Sequence, residues 1–181
     1  MILVLRFIGV MNAAIWFGSA VFVLVAAPVF FSAGVQSTPL GKFWPGVMVQ
    51  FVFERFFNLQ CICAAVAIVH QLAEWVYLGR VLRRWVIILL GAFLIIILLE
   101  GLILSPKLKS WNLIRHGLNE KYAVERYSKE DQIHAAGMFR SWHRVSRVFG
   151  LVMVAGLGLF FWKVVHAGDN SRFGGASKFR S

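Results

Sequence analysis

Acidic residues and cysteines are scarce in this sequence. It has 8 Asp and Glu against 19 Lys and Arg, and its 2 cysteines are Cys61 and Cys63. The cysteines are two residues apart in an apolar helical stretch, so their side chains point to nearly opposite faces. This spacing argues against a disulfide framework and a zinc ribbon. The sequence also lacks a hydrolase triad, a phosphate-binding loop and a dinucleotide fingerprint. We therefore expect a protein that is not an enzyme and has no metal or cofactor.

The excess of basic residues gives a net charge of +11. Such a charge can indicate nucleic-acid binding, but here the lysines and arginines lie in loops, at helix ends and in the tail. Membrane proteins distribute basic residues in this way. We therefore expect no nucleic acid, and the expected partners are anionic lipid headgroups of the bilayer and other membrane subunits.

Hydrophobic residues make up 59% of the 181 residues, and the mean hydropathy is +0.72. One soluble core cannot hide so much apolar surface. The stretch 84–106 is almost unbroken Leu, Ile, Val and Phe, with Glu100 as its one ionisable side chain after Arg84. At about 1.5 Å per residue it covers roughly 30 Å, the thickness of the bilayer hydrocarbon. It predicts a transmembrane helix.

The same reasoning predicts an all-α, integral membrane four-helix bundle. A domain over 1–167 is followed by a basic, flexible tail over 168–181, rich in Gly and Ser. Ser128 is a suitable N-cap for the last helix. Part of 107–131 is expected to lie as an amphipathic helix on the headgroups. The predicted spans are about 2–31, 46–78, 85–105 and 131–166.

Counting residues inward from the ends of the spans places several polar residues at one depth. With four spans, the second begins, the third ends and the fourth begins on one side of the membrane, which we call side B; both termini lie on side A. The polar residues in the side B half, which we call the side B cluster, are Glu54, Arg55, Asn58, Glu100, His143, Ser146 and Arg147.

Ionisable groups in a membrane are expensive, so the side B cluster is expected to face inward and to pair. The predicted salt bridges join Glu100 to Arg147 or Arg144, and Glu54 to an arginine of the last span. Two interpretations stay open. The cluster is structural and holds the helices in register, or it is a proton, ion or metal site that opens to side B.

His70 and His166 lie at similar depths, which raises the possibility of a bis-histidine haem. His166 is at a helix end, and a lone helical histidine is more often hydrogen-bonded within the structure, so we do not expect haem. The arginines of a short turn, Arg80, Arg83 and Arg84, favour a cytoplasmic side A, with both termini inside the cell. The expected location is the bacterial inner (plasma) membrane.

Several fragments, in order, resemble the transmembrane protein 205-like family of four-span proteins. They are IWFGSAVFVLVAAPVFF, VQS, FFNLQ, LILSPKLKSW and FRSWHRVSRVFGL. In the last fragment, Phe139, His143 and Ser146 are similar to the family pattern, whereas an asparagine expected one turn later is absent. The resemblance implies four spans and a largely unknown function, with links to metal or drug handling.

The sequence thus leads to two functional expectations. The first is a non-enzymatic accessory or scaffold subunit of a larger membrane complex, suggested by 17 Phe, 7 Trp and a basic tail. The alternative is a small ion, proton or metal transporter, or a metal-handling protein, that uses the side B cluster.

Overall fold

The computed structural model describes residues 2–30, 32, 44–79, 84–118, 124 and 127–166. In this part of the chain, four helical stretches are long and apolar enough to cross a membrane. The prediction of an all-α, four-helix integral membrane protein is confirmed. The predicted tail, the first loop with its VQS fragment, and Arg80 and Arg83 of the predicted turn lie outside the described residues. The elements are α1 (Ile2–Phe30), α2 (Trp44–Leu78), α3 (Arg84–Leu99), a π-helix (Glu100–Leu104), α4 (Ser105–Arg115) and α5 (Lys129–His166).

The third stretch runs without a break through α3, the π-helix and α4, a total of 32 residues. The sequence had suggested an end near residue 105. Pro106 lies in the first turn of α4, directly after the π-helix, and inside a membrane helix a local π adjustment accommodates a proline that lacks the backbone N–H. The helix ends at Arg115, and Gly117 follows with a φ of 68°, the left-handed conformation that favours glycine just after a helix end. Instead of lying on the headgroups as predicted, α4 packs against α5.

The last helix begins with the predicted cap. The Oγ of Ser128 accepts a hydrogen bond from the Asp131 N–H at 3.0 Å and donates one to Asp131 Oδ2 at 2.7 Å. The Ser128 N–H also donates to that carboxylate at 3.3 Å. These reciprocal bonds satisfy two donors at the start of α5. The prediction of Ser128 as the N-cap is confirmed.

The core of the bundle surrounds Trp16 of α1, which is fully buried. Its ring meets Phe93 of α3 edge-on at 5.4 Å and Phe160 of α5 at 6.2 Å between centroids. Through these ring contacts, α1, α3 and α5 meet at one aromatic cluster. Small residues on α1 and α2 let the backbones of those two helices approach closely, as is usual in membranes. The small buried residues are Ala13 and Ala20 of α1 and Ala64 and Ala67 of α2.

Two polar contacts join α1 to α2. Asn12 Nδ2 donates to the Cys63 carbonyl at 2.9 Å, and His70 Nε2 is 2.9 Å from the Leu5 carbonyl, to which it can only donate. His70 is buried, and Gly9 lies directly against its ring. His70 is therefore engaged in helix packing. His166 is exposed at the far end of α5, where Nδ1 contacts a carbonyl of its own helix.

Candidate functional site

The π-helix begins at Glu100, inside a continuous membrane-spanning helix. A π turn shifts the backbone hydrogen bonds from i−4 to i−5 and is frequent at functional sites. The next residue, Gly101, lies so close to the ring of Phe57 in α2 that an added Cβ would overlap the ring. The backbone around Glu100 is thus pressed against α2, and the irregular turn lies where the two helices touch.

A cavity of about 250 Å³ lies between α2, the π-helix with α4, and α5. Liquid water occupies roughly 30 Å³ per molecule, so the cavity has room for several waters. We call it the acidic cavity, because it is lined by two carboxylates, those of Glu54 and Glu100. The other polar residues that line it are Gln50, Asn58, Gln60, Ser105, Asn112, His143 and Ser146.

A second cavity of about 630 Å³ lies between α1, α2 and α5, with Arg115 of α4 at its edge. We call it the basic cavity, because Arg115, Arg140 and Arg147 line it. The two cavities have a common wall that contains Glu100 and His143. The other residues that line both cavities are Phe53, Phe56, Gln60, Phe139 and Ser146.

The structure brings most, but not all, of the side B cluster together. The acidic cavity is lined by Glu54, Asn58, Glu100, His143 and Ser146, whereas Arg147 lines only the basic cavity. Arg55 lines neither cavity and is exposed.

Burial of the side B cluster is also uneven. Glu100, His143 and Ser146 are half-buried, while Glu54, Asn58 and Arg147 are exposed. Within the described ranges, Glu54 and Glu100 form no ion pair and no side-chain hydrogen bond. The predicted salt bridges to Arg144 and Arg147 are therefore not formed there.

At the common wall, the Phe139 ring contacts both His143 and Arg115. Its ring stacks on the His143 imidazole, with centroids 5.8 Å apart and planes inclined by 7°. The guanidinium carbon of Arg115 lies 4.3 Å from the centroid of the same ring. Arg115 Nε also donates to His116 Nε2 at 3.0 Å. Burial, and then the charge of Arg115, lowers the pKa of His116, so this ring is neutral and accepts the bond.

Sequence reasoning missed three residues of the site. Gln60 and Asn112 are 2% and 5% exposed, the Oδ1 of Asn112 has no hydrogen-bond partner among the residues that the structure describes, and Arg115 lines the basic cavity. Asn112 lies in the stretch that we expected on the headgroups. The available signal was the spacing of Leu104, Leu108 and Asn112, which continues a helical face past Pro106.

The chemistry of the site is that of proton exchange and polar binding. No three His, Cys, Asp or Glu side chains in the described part of the chain are grouped so that they could hold a metal ion. The acidic cavity instead offers carboxylates, an imidazole, amides and a hydroxyl. Carboxyl and imidazole groups exchange protons, while amides and hydroxyls can order water between them.

Comparisons with known proteins give one match. A family described as a domain of unknown function, DUF4149, matches residues 11–116. Curated proteins and solved structures give no match. The matched range contains Glu54, Gln60, Glu100 and Asn112, whereas the part of the site on α5 lies outside it. Because the match covers more than half of the chain, the protein belongs to the DUF4149 family of unknown function.

Proposed function

We propose that this protein is a small, non-enzymatic membrane transporter that moves protons, alone or together with a small solute. In this proposal Glu100 carries the proton. One observation supports it above the others. The Glu100 carboxylate lies in the wall between two cavities, and within the described residues it has no ion pair and no hydrogen bond.

This observation is significant because an ionised carboxylate inside a membrane is unfavourable in free energy. Insertion scales put an ionised side chain at the centre of a transmembrane helix at about 2.5 to 3.5 kcal/mol. A carboxylate that only held helices together would offset this cost by pairing with an arginine. Arg144 and Arg147 are on the neighbouring helix and do not pair with Glu100. The interpretation of the side B cluster as purely structural therefore lacks the salt bridge at Glu100 on which it depends.

The lining of the acidic cavity supports a route for protons from side B. Gly46 and Asn112, which pack against each other, lie at the side B ends of α2 and α4 and line the same cavity as Glu100. His143 and Ser146 are at the common wall, within the same cavity. Toward side A, the aromatic cluster around Trp16 closes the bundle. Transport across the membrane then requires this cluster to open, as in alternating access.

The other expectations from the sequence stay predictions. Many apolar side chains are exposed along the helices, as the lipid contact of any membrane protein requires, and this surface does not favour an accessory subunit over a transporter. A metal substrate receives less support, because no metal-binding group is found among the described residues. We also propose the finer relation to the transmembrane protein 205-like family, which is supported by the five sequence fragments given above; FRSWHRVSRVFGL is the one that lies beyond the matched range 11–116. We also propose, as before, a bacterial inner membrane with cytoplasmic termini.

The test is proton flux in proteoliposomes with a trapped pH-sensitive dye. After an imposed pH gradient and a potassium diffusion potential, the wild-type protein is expected to dissipate the gradient faster than empty liposomes. Glu100→Gln keeps the size of the side chain but cannot exchange a proton, so the flux is expected to fall at least about 100-fold, the lower end of the effect of a lost general acid or base. Glu130→Gln is the matched control, because Glu130 is exposed and lines neither cavity.

Two outcomes would contradict the proposal. One is a wild-type flux equal to that of empty liposomes. The other is a Glu100→Gln protein that is folded, by circular dichroism and a single elution peak, and retains the wild-type flux.

A further inference from the structure

The basic cavity carries an unbalanced charge. Three guanidinium groups line it, those of Arg115, Arg140 and Arg147, against one carboxylate, that of Glu100. None of the three arginines forms an ion pair with an acidic side chain in the described part of the chain. A cavity with this excess of positive charge attracts an anion.

The arginines are arranged for a group with several oxygens. Arg140 and Arg147 are seven residues apart on α5, so they lie on one face, about 10.5 Å apart along the axis. Arg115 approaches from α4, held by the Phe139 ring at 4.3 Å and by its bond to His116. Its terminal N–H groups have no hydrogen-bond partner among the described residues. A guanidinium oriented in this way binds phosphate oxygens with little loss of freedom.

Apart from the arginines and the common wall with Gln60, Glu100, His143 and Ser146, the lining of the basic cavity is apolar. Along α5 the lining changes from Arg140 and Arg147 to Gly150, Met153 and Val154 toward the centre of the membrane. The opposite wall is one face of α1 with the spacing i, i+3, i+4 and i+7. The cavity is therefore basic near side B and apolar at depth. The α1 residues of this wall are Ala20, Val23, Leu24, Ala27 and Pro28.

We propose that the basic cavity binds an anionic phospholipid of the side B leaflet, with the phosphate among the three arginines and an acyl chain along α1. A free phosphate fits the arginines but leaves the apolar wall uncovered, so the polarity gradient selects the lipid. Each basic residue near a membrane surface adds attraction for an anionic headgroup, equivalent to about a fivefold change in affinity. The proposal does not rest on proton transport, since it needs the arginines and not the titration of Glu100.

The experiment is a titration of the purified full-length protein in neutral detergent, followed by native mass spectrometry and by thermal unfolding. The probes are dioctanoyl phosphatidylglycerol, dioctanoyl phosphatidylcholine and inorganic phosphate. Phosphatidylglycerol is expected to bind at least about tenfold more tightly than phosphatidylcholine, since two or more arginines contribute. Inorganic phosphate at the same concentrations is expected to leave the unfolding temperature unchanged.

Variants locate the site. Arg140→Gln and Arg147→Gln are each expected to weaken phosphatidylglycerol binding about fivefold, and the double variant about 25-fold. Arg144→Gln is the matched control, because Arg144 is on the same helix, is exposed and does not line the cavity. If the double variant does not fold, the phosphatidylglycerol affinities of the two single variants test the site. Glu100→Gln removes the one carboxylate that lines the cavity, so it is expected to strengthen phosphatidylglycerol binding while it lowers proton flux, and the two proposals can therefore fail separately.

Three results would overturn the lipid site. The first is equal affinity for the two lipids. The second is a loss of affinity in Arg144→Gln as large as that in Arg147→Gln, which would indicate attraction by the whole surface. The third is stabilisation by inorganic phosphate equal to that by phosphatidylglycerol, which would indicate a site for a free anion.

Discussion

One methyl group added at Gly9 tests the contact that joins α1 to α2. The His70 ring lies against Gly9, so a Cβ built there would come within 2.6 Å of Cε1 and 3.0 Å of Cδ2, and closer still to Nε2. The ring cannot easily retreat, because Nε2 is bonded to the Leu5 carbonyl at 2.9 Å. In Gly9→Ala either the helices separate or the imidazole turns away and gives up this bond.

The size of the effect follows from three contributions. Forcing a methyl group into a packed contact costs about 1 to 3 kcal/mol. A weakened interhelical hydrogen bond in a membrane protein adds about 0.6 kcal/mol. Alanine regains about 0.5 to 1 kcal/mol over glycine inside a helix. We therefore expect Gly9→Ala to lose about 0.6 to 3 kcal/mol of unfolding free energy.

The control is in the same helix. A Cβ at Gly18 would meet no atom within 4 Å, so Gly18→Ala is expected to gain about 0.5 to 1 kcal/mol. Unfolding of both variants in mixed micelles with increasing dodecyl sulfate gives the comparison. In a double-mutant cycle, His70→Ala is expected to remove most of the cost of Gly9→Ala, because the ring that causes it is gone. A Gly9→Ala protein as stable as Gly18→Ala would refute this account of the helix contact.

Three further predictions follow from local contacts. Gly101→Ala would overlap the ring packed on it, so both proton flux and stability are expected to fall. Gly91→Ala, with no atom within 4 Å of the added group, is expected to keep the wild-type flux and, like Gly18→Ala, to gain about 0.5 to 1 kcal/mol of stability. Equal fluxes in Gly101→Ala and Gly91→Ala would contradict this. The pKa of His116 is lowered in the folded protein, so the unfolded state takes up the proton first, and stability is lost as pH falls below about 6.5. In His116→Gln the loss of unfolding temperature between pH 7 and 5 is expected to be smaller than in the wild type, and parallel curves would oppose this assignment. Ser128→Ala removes the cap of α5 and is expected to cost about 1 kcal/mol, measured by the same unfolding, whereas Ser141→Ala in the exposed middle of the helix serves as the neutral control.

The spans were predictable because lipid imposes a simple requirement. Every backbone polar group must be satisfied inside the segment, so about 20 apolar residues in sequence indicate a helix whatever surrounds them. The start of α5 was predictable for a local reason, since Ser128 and Asp131 form their bonds within one turn. Neither inference required knowledge of how the helices pack.

The end of the third helix and the π-helix were not predictable in this way. Pro106 indicates a helix end when taken alone, yet in the first turn of α4 it is tolerated, and the segment stays helical to Arg115. The π-helix lies where the ring of Phe57 closely approaches Gly101, a contact between residues far apart in sequence. Local patterns do not contain such contacts.

For the candidate site, the sequence predicted the depth of each residue in the membrane but not the direction in which its side chain points. Counting residues along each span correctly brought Glu100, His143 and Ser146 to one level, because a helix has a fixed rise. It could not give the rotation of α2, since apolar residues occur on every face of that helix. As a result, the predicted side B cluster included Arg55, which is exposed and lines neither cavity, and omitted the buried Gln60 on the same helix.

The separation of opposite charges at the common wall follows from the packing around Phe139. Arg115 already has two contacts, a cation-π contact with Phe139 and a hydrogen bond to His116. The first is worth about 0.5 to 2 kcal/mol. A direct pair with Glu100 would give up both contacts and would desolvate two ions, a cost that often exceeds the gain. Phe53 and Phe56, which also line both cavities, add apolar volume between the charged groups. The wall thus keeps the Glu100 carboxylate, which lines both cavities, unpaired with the arginines, which line the basic cavity, and this arrangement is what a binding site needs and a structural ion pair does not.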